Sequence, residues 1–206
     1  MRLAVWLAIL VLALLGRWMH NDAVAAASVP LALGFFFFST PRRVRAAVWV
    51  MAAGEAVAWA LGGPPMMLDV LPAAIAGFVG WLFARSLSPA RTPLIARAIA
   101  AIEGEAALRD TAIVRYARRL TALWAALQFA LAGWCALCLL RDHGPFSGSF
   151  LPPPRVFGTT LLPLASATLF FGEFFLRPRL LPQAPRHTLT DFLAALGRAW
   201  PTLIED

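Results

Sequence analysis

Six apolar runs, each close to the length needed to cross a bilayer, decide what this chain can fold into. They are about Leu3–Met19, Ala23–Phe38, Val44–Leu61, Leu68–Leu87, Leu120–Leu140 and Val156–Leu176. A helix rises about 1.5 Å per residue, so roughly 17–25 apolar residues span the hydrocarbon layer. Composition agrees: 60% of the 206 residues are hydrophobic and only 14% are charged, whereas water-soluble domains hold about half and a quarter. The expectation is an all-α, polytopic membrane protein, a single membrane domain over residues 1–206.

The 18 basic residues are all arginine, and their distribution sets an orientation. With a cytoplasmic amino terminus, the inner loops collect Arg2, the group Arg42, Arg43 and Arg45, the seven arginines between Arg85 and Arg119, and Arg177, Arg179, Arg186 and Arg198. Only Arg17, Arg141 and Arg155 fall outside. Fifteen against three follows the positive-inside rule and predicts both termini in the cytoplasm. The first run, with Arg2, Leu3–Leu15 and Ala23-Val24-Ala25, imitates a secretory signal peptide. The polar stretch Arg17, Trp18, His20 and Asp22 favours a retained helix. The net charge of +7 is accounted for by topology and anionic lipid head groups. Nucleic-acid binding would need exposed aromatics on a soluble basic face, and here the aromatics lie inside the apolar runs.

Residues 85–119 form the one sizeable hydrophilic region. Pro93 is placed to open a helix whose residues Leu94, Ile95, Ala98, Ile99 and Ile102 share a side, with Arg97 and Glu103 falling away. This predicts an amphipathic helix on the cytoplasmic leaflet. Gly104 interrupts it, and a second helical stretch, Ala106 to Arg119, runs into the fifth span. The tail, residues 177–206, repeats the device. Thr188 and Asp191 resemble a capping box, and Leu189, Phe192, Leu193, Leu196 and Trp200 make an apolar stripe.

Among residues that might carry chemistry, Glu55 in the third run and Glu173 in the sixth are carboxylates inside spans, which are functional candidates by default. For Glu55 a structural interhelical hydrogen bond and a proton path or polar pocket stand level. For Glu173 the simpler reading is an interfacial ion pair with Arg177, four residues on. Arg115, Arg118 and Arg119, with Tyr116 among them, lie at the cytoplasmic mouth of span five. Arg115 and Arg119 share a face, and with Arg97, Tyr116 and Arg118 they make a candidate docking site whose planar forks suit a phosphate or carboxylate, as well as setting topology. His187 and Asp191 have the His-x-x-x-Asp spacing of some acyltransferases, in which His acts as base, but Thr188 and Asp191 already serve as a cap. Cys135 and Cys138 read as inert packing in an apolar helix. No metal-ligand cluster, P-loop or Gly-x-Ser-x-Gly elbow occurs, so no metal and no cofactor is expected.

Several stretches taken together resemble a known family. They are Thr92-Pro93-Leu94-Ile95-Ala96-Arg97, then Arg115-Tyr116-Ala117-Arg118-Arg119-Leu120-Thr121 with Trp124. Phe170 to Pro182 follows, with Glu173, Arg177 and Arg179, and finally Pro185-Arg186-His187-Thr188-Leu189. In this order they resemble bacterial inner-membrane proteins encoded in aryl-polyene (xanthomonadin-type) pigment biosynthesis clusters. The likeness covers the carboxy-terminal part of the chain. The first four runs match only in hydrophobicity, and the loop with Pro152-Pro153-Pro154 does not match.

The resemblance implies work beside the ketosynthases, dehydratases and acyl carrier proteins that build a polyene acyl chain. It brings no catalytic residues to these positions, and the chain has no Cys–His–His condensing site of its own. The leading expectation is an accessory component of aryl-polyene biosynthesis that recruits acyl-carrier-bound or lipid intermediates to the cytoplasmic face of the inner membrane. Its partners would be anionic lipids and an acyl carrier protein or polyene synthase subunits. A small transporter or flippase for the polyene lipid is the alternative from another class, and an integral-membrane acyl transferase or hydrolase is the third.

Overall fold

The computed structural model describes residues 2–39, 42–143, 151–180, 188, 190, 191 and 194. Among them there is no strand. The helices are α1 (Arg2–Trp18), α2 (Asp22–Ala26), α3 (Ser28–Ser39), α4 (Arg42–Ser86), α5 (Leu94–Glu103), α6 (Thr111–His143), α7 (Pro154–Val156) and α8 (Leu162–Leu180). A 3₁₀ turn, Glu105–Arg109, joins α5 to α6, and a π turn, Phe157–Leu161, joins α7 to α8.

Among the described residues three helical stretches are long and apolar enough to cross a membrane: Arg45–Ser86, Thr111–Arg141 and Pro154–Leu180. They carry their large apolar side chains outward. Trp49, Val50, Leu61, Leu164 and Phe175 are all more than half exposed, an arrangement that water would penalise and lipid would not. The chain divides into two compact units, one of residues 1–78 and 132–160, the other of residues 79–131 and 161–206.

In the first unit, α1 ends in a tight left-handed cap. His20 takes φ 52°, and the Asn21 N–H reaches back to the Gly16 carbonyl at 2.9 Å, the six-to-one bond of a Schellman motif. Asn21 then caps α2, its side-chain oxygen accepting from the Ala23 and Val24 amides at 3.0 and 3.3 Å. The connection between α1 and α2 is thus a turn of three residues. It brings the chain so close that a Cβ on Gly16 would lie 2.2 Å from the Ala25 backbone. The second predicted span is divided at Ala27, because Pro30 has no N–H and its ring crowds the carbonyl of Ala26, four residues back. Ala26, Val29 and Met67 form a small core with Leu33, Leu68 and Leu71 against it.

The helix α4 covers both the third and fourth predicted runs and is interrupted at Gly63, whose φ of 66° and ψ of −155° lie outside helical space. Only glycine adopts such a conformation at low cost, and Pro64 and Pro65 follow it. Later in the same unit the turn after α7 approaches α4 closely: a Cβ on buried Gly158 would meet Pro72 Cγ at 2.4 Å. Trp134 and Phe157 lie ring against ring at 6.4 Å.

In the second unit, Gly80 admits the Phe129 ring, which a Cβ there would meet at 3.1 Å. Phe83 stacks on Trp124 at 5.7 Å. The buried Gln128 donates to the Ser166 hydroxyl at 3.1 Å, an interhelical polar contact of the kind that joins helices in lipid.

Two expectations need correcting. First, part of the apolar side of α5 meets protein: Ile99 is buried, with Ala96, against Ile113 and Ala117, and Ile95 and Tyr116 lie beside them, while Leu94, Ala98 and Ile102 are half-buried. Nor does Glu103 fall away. It stands four residues beyond Ile99, on the Ile95–Ile99 stripe, and its side chain is only 3% exposed. Second, residues 106–109 do not run into the fifth span, because Asp110 takes an extended conformation, φ −79° and ψ 114°. Its carboxylate accepts from the Ala112 amide at 2.7 Å, so Asp110 caps α6.

Candidate functional site

The second unit builds its site by fixing α5 at both ends. Ser86 and Thr121 are almost wholly buried. Ser86 Oγ donates to the Phe83 carbonyl at 2.7 Å and accepts from the Leu94 amide at 3.0 Å. Thr121 Oγ1 donates to the Ala117 carbonyl at 2.7 Å and accepts from the Ile95 amide at 3.3 Å. Two helix-opening amides that proline cannot cap by side chain are therefore held by hydroxyls from α4 and α6. The two hydroxyls fix the beginning of α5 against the helices on either side.

At the other end of α5 lies a buried ionic cluster. Arg177 Nη1 is 3.6 Å from Glu103 Oε1, and Arg177 Nε is 3.3 Å from Glu173 Oε1. The single tyrosine of the chain, Tyr116, donates its hydroxyl to the same Glu173 oxygen at 2.7 Å. Side-chain exposure is 12% for Arg177 and 11% for Glu173. One guanidinium between two carboxylates, with a phenol on one of them, joins α5, α6 and α8 through groups that are nearly dry and paired with one another.

Above this cluster the arginines of α6 divide by use. Arg118 Nη2 donates to the Leu87 carbonyl at 3.0 Å, so it holds the segment that leads into α5. Arg115 and Arg119 are exposed and have no intramolecular partner among the described residues; one turn apart, they lie on one face. Arg91 is half-buried, and its Nη1 is buried with no hydrogen-bond partner among the described residues. Arg97 is half-buried on α5.

The first unit holds a second ionic cluster that the sequence did not announce. Arg155 Nε donates to Asp69 Oδ1 at 2.8 Å, and its two terminal nitrogens donate to the two oxygens of Asp22 at 3.2 and 3.0 Å. Asp69 lies one residue inside the fourth run and is overlooked when only Glu55 and Glu173 are weighed. A signal existed, since Asp22, Asp69 and Arg155 all stand at the ends of segments assigned to the outer side.

Glu55 is 2% exposed, and neither of its oxygens has a hydrogen-bond partner among the described residues. Cys135 and Cys138 are buried and form no disulfide. Asp191 donates its amide to Thr188 Oγ1 at 3.2 Å, and its carboxylate accepts from that hydroxyl, which is the geometry of a cap. His187 lies outside the described residues, as do Leu189, Phe192, Leu193, Leu196 and Trp200. Among the described residues no three metal-binding side chains come together. No family model, curated protein or solved structure matches this chain.

Proposed function

We propose that this chain is a membrane-embedded accessory component of aryl-polyene biosynthesis, which docks an acyl-carrier-bound intermediate at the cytoplasmic face of the bacterial inner membrane. In this reading the six apolar runs are six spans, with both termini and residues 85–119 in the cytoplasm. One observation carries it: Arg115 and Arg119 are exposed without intramolecular partners among the described residues, while neighbouring Arg118 is committed to the Leu87 carbonyl.

Two guanidinium forks on one face suit the phosphate of a phosphopantetheine arm or the carboxylates of an acidic carrier surface. Tyr116, between them in sequence, is turned to Glu173 instead, so the cluster beneath supports the helix that displays the forks. The intermediate would be delivered at the membrane into which its apolar product must pass.

The test is complementation of a strain lacking the gene. Replacing Arg115 and Arg119 by Lys keeps the inner positive charge but removes the planar forks. Pigment output should fall while membrane levels stay normal. Full output from the Lys variant would leave these arginines with topology alone.

A further inference from the structure

Glu55 occupies the middle of a narrow buried strip on the first arm of α4. Val48, Glu55 and Ala58 are buried, whereas Trp49, Val50, Val57, Trp59 and Leu61 are each at least half exposed. Spacings of seven and three residues put the buried three on one helix face. The arm therefore offers one strip to the protein, and a carboxyl stands at its centre.

Among the described residues that carboxyl meets no cation. Among the described charged and titratable groups of the same unit, Asp22, Asp69 and Arg155 are engaged with one another. Arg141 donates to the Leu151 carbonyl. Arg45 is ten residues away along the helix, about 15 Å. His20 is exposed, and Cys135 and Cys138 are buried thiols; none of these groups donates to Glu55. A buried anion without hydrogen bonds is among the costliest arrangements a membrane protein can hold, and a neutral acid avoids the charge altogether.

The same helix also carries backbone carbonyls that lack helical donors. Pro64 and Pro65 have no N–H to offer the carbonyls of Ala60 and Leu61, four residues back, and the helix is broken between them at Gly63. Backbone groups without helical donors are kept in membranes only where protein or water reaches them. They stand five and six residues from Glu55, about 8–9 Å of helix.

We propose that Glu55 is an exchangeable proton-binding site in the membrane domain, occupied in this conformation and emptied to water through the break at Gly63. The step is a plain transfer: the O–H bond of the carboxyl breaks, the oxygen keeps the pair, and water takes the proton. This site is independent of the docking reading, since its residues belong to the other unit.

Infrared spectroscopy of the intact protein in lipid nanodiscs tests it. At neutral pH the wild type should show the carbonyl stretch of a protonated carboxyl, absent from Glu55→Gln and shifted in Glu55→Asp. Raising the pH should replace that band by carboxylate bands, and lowering it should restore the band. Carboxylate bands alone at neutral pH would overturn the proposal. So would a carboxyl band that persists through the alkaline range, because a proton never released is not exchanged. Either variant identifies the band, so poor folding of one leaves the assignment with the other.

Discussion

Two arginines, Arg155 in one unit and Arg177 in the other, are each held between two carboxylates, but in very different surroundings. Arg155 has the better geometry. Its contacts run from 2.8 to 3.2 Å, and with Asp22 they are bidentate. It is also wetter, with 47% of the Arg155 side chain and 38% of the Asp22 side chain exposed, and only Asp69, at 11%, is buried. Arg177 has longer contacts, 3.3 and 3.6 Å, in a nearly dry setting. Good geometry in water adds little, because solvent already satisfies the separated charges. Mediocre geometry away from water is harder to lose, since the partners left behind remain buried. The contrast implies that Arg177 holds its unit together more firmly than Arg155 holds the other.

The largest effect should follow Arg177→Met, which takes from Glu103 and Glu173 the buried guanidinium they share. Breaking a buried pair costs roughly 3–5 kcal/mol. Thermal unfolding in detergent micelles should show this loss, and Glu103→Gln added to Arg177→Met should restore part of it. A cost below about 1 kcal/mol would erase the distinction between dry and wet clusters.

Tyr116→Phe should come next, at about 1–2 kcal/mol. It removes one donor from Glu173 while Arg177 stays in place, and buried acceptors that lose a partner cost about this much. Arg155→Met should also cost less than Arg177→Met, about 1–2 kcal/mol, because Asp22 is left in water and only Asp69 stays buried. That cost should shrink further in high salt, where the Arg177 effect should persist, because exposed pairs are screened and buried ones far less. Equal salt sensitivity at the two arginines would show that both clusters are solvated.

The same contrast marks what could be read from sequence. Local signals were strong enough to place elements: Pro93 and Gly104 bound α5, and Gly63 with two prolines breaks α4. The pair Glu173–Arg177 was legible because four residues is one helical turn. Tyr116 and Glu173 are 57 residues apart, and Arg155 and Asp22 are 133. No local periodicity encodes such distances. The misreading of Glu103 is of another kind. Its charge suggested an outward position, although its spacing from Ile95 and Ile99 put it inward, and Arg177 supplies the partner that lets a carboxylate follow the apolar stripe. Spacing was the better guide there than polarity.

In the proposed function Arg115 and Arg119 are displayed for a ligand while their neighbours hold the fold. Its most direct test is the affinity of an acyl-loaded carrier protein from an aryl-polyene cluster for this protein in nanodiscs of zwitterionic lipid. Wild type and Arg155→Lys should bind alike, and the double Lys replacement at Arg115 and Arg119 should bind at least about tenfold more weakly, a loss of about 1.4 kcal/mol. Equal affinity across all three proteins, or no binding to the wild type, would contradict the claim.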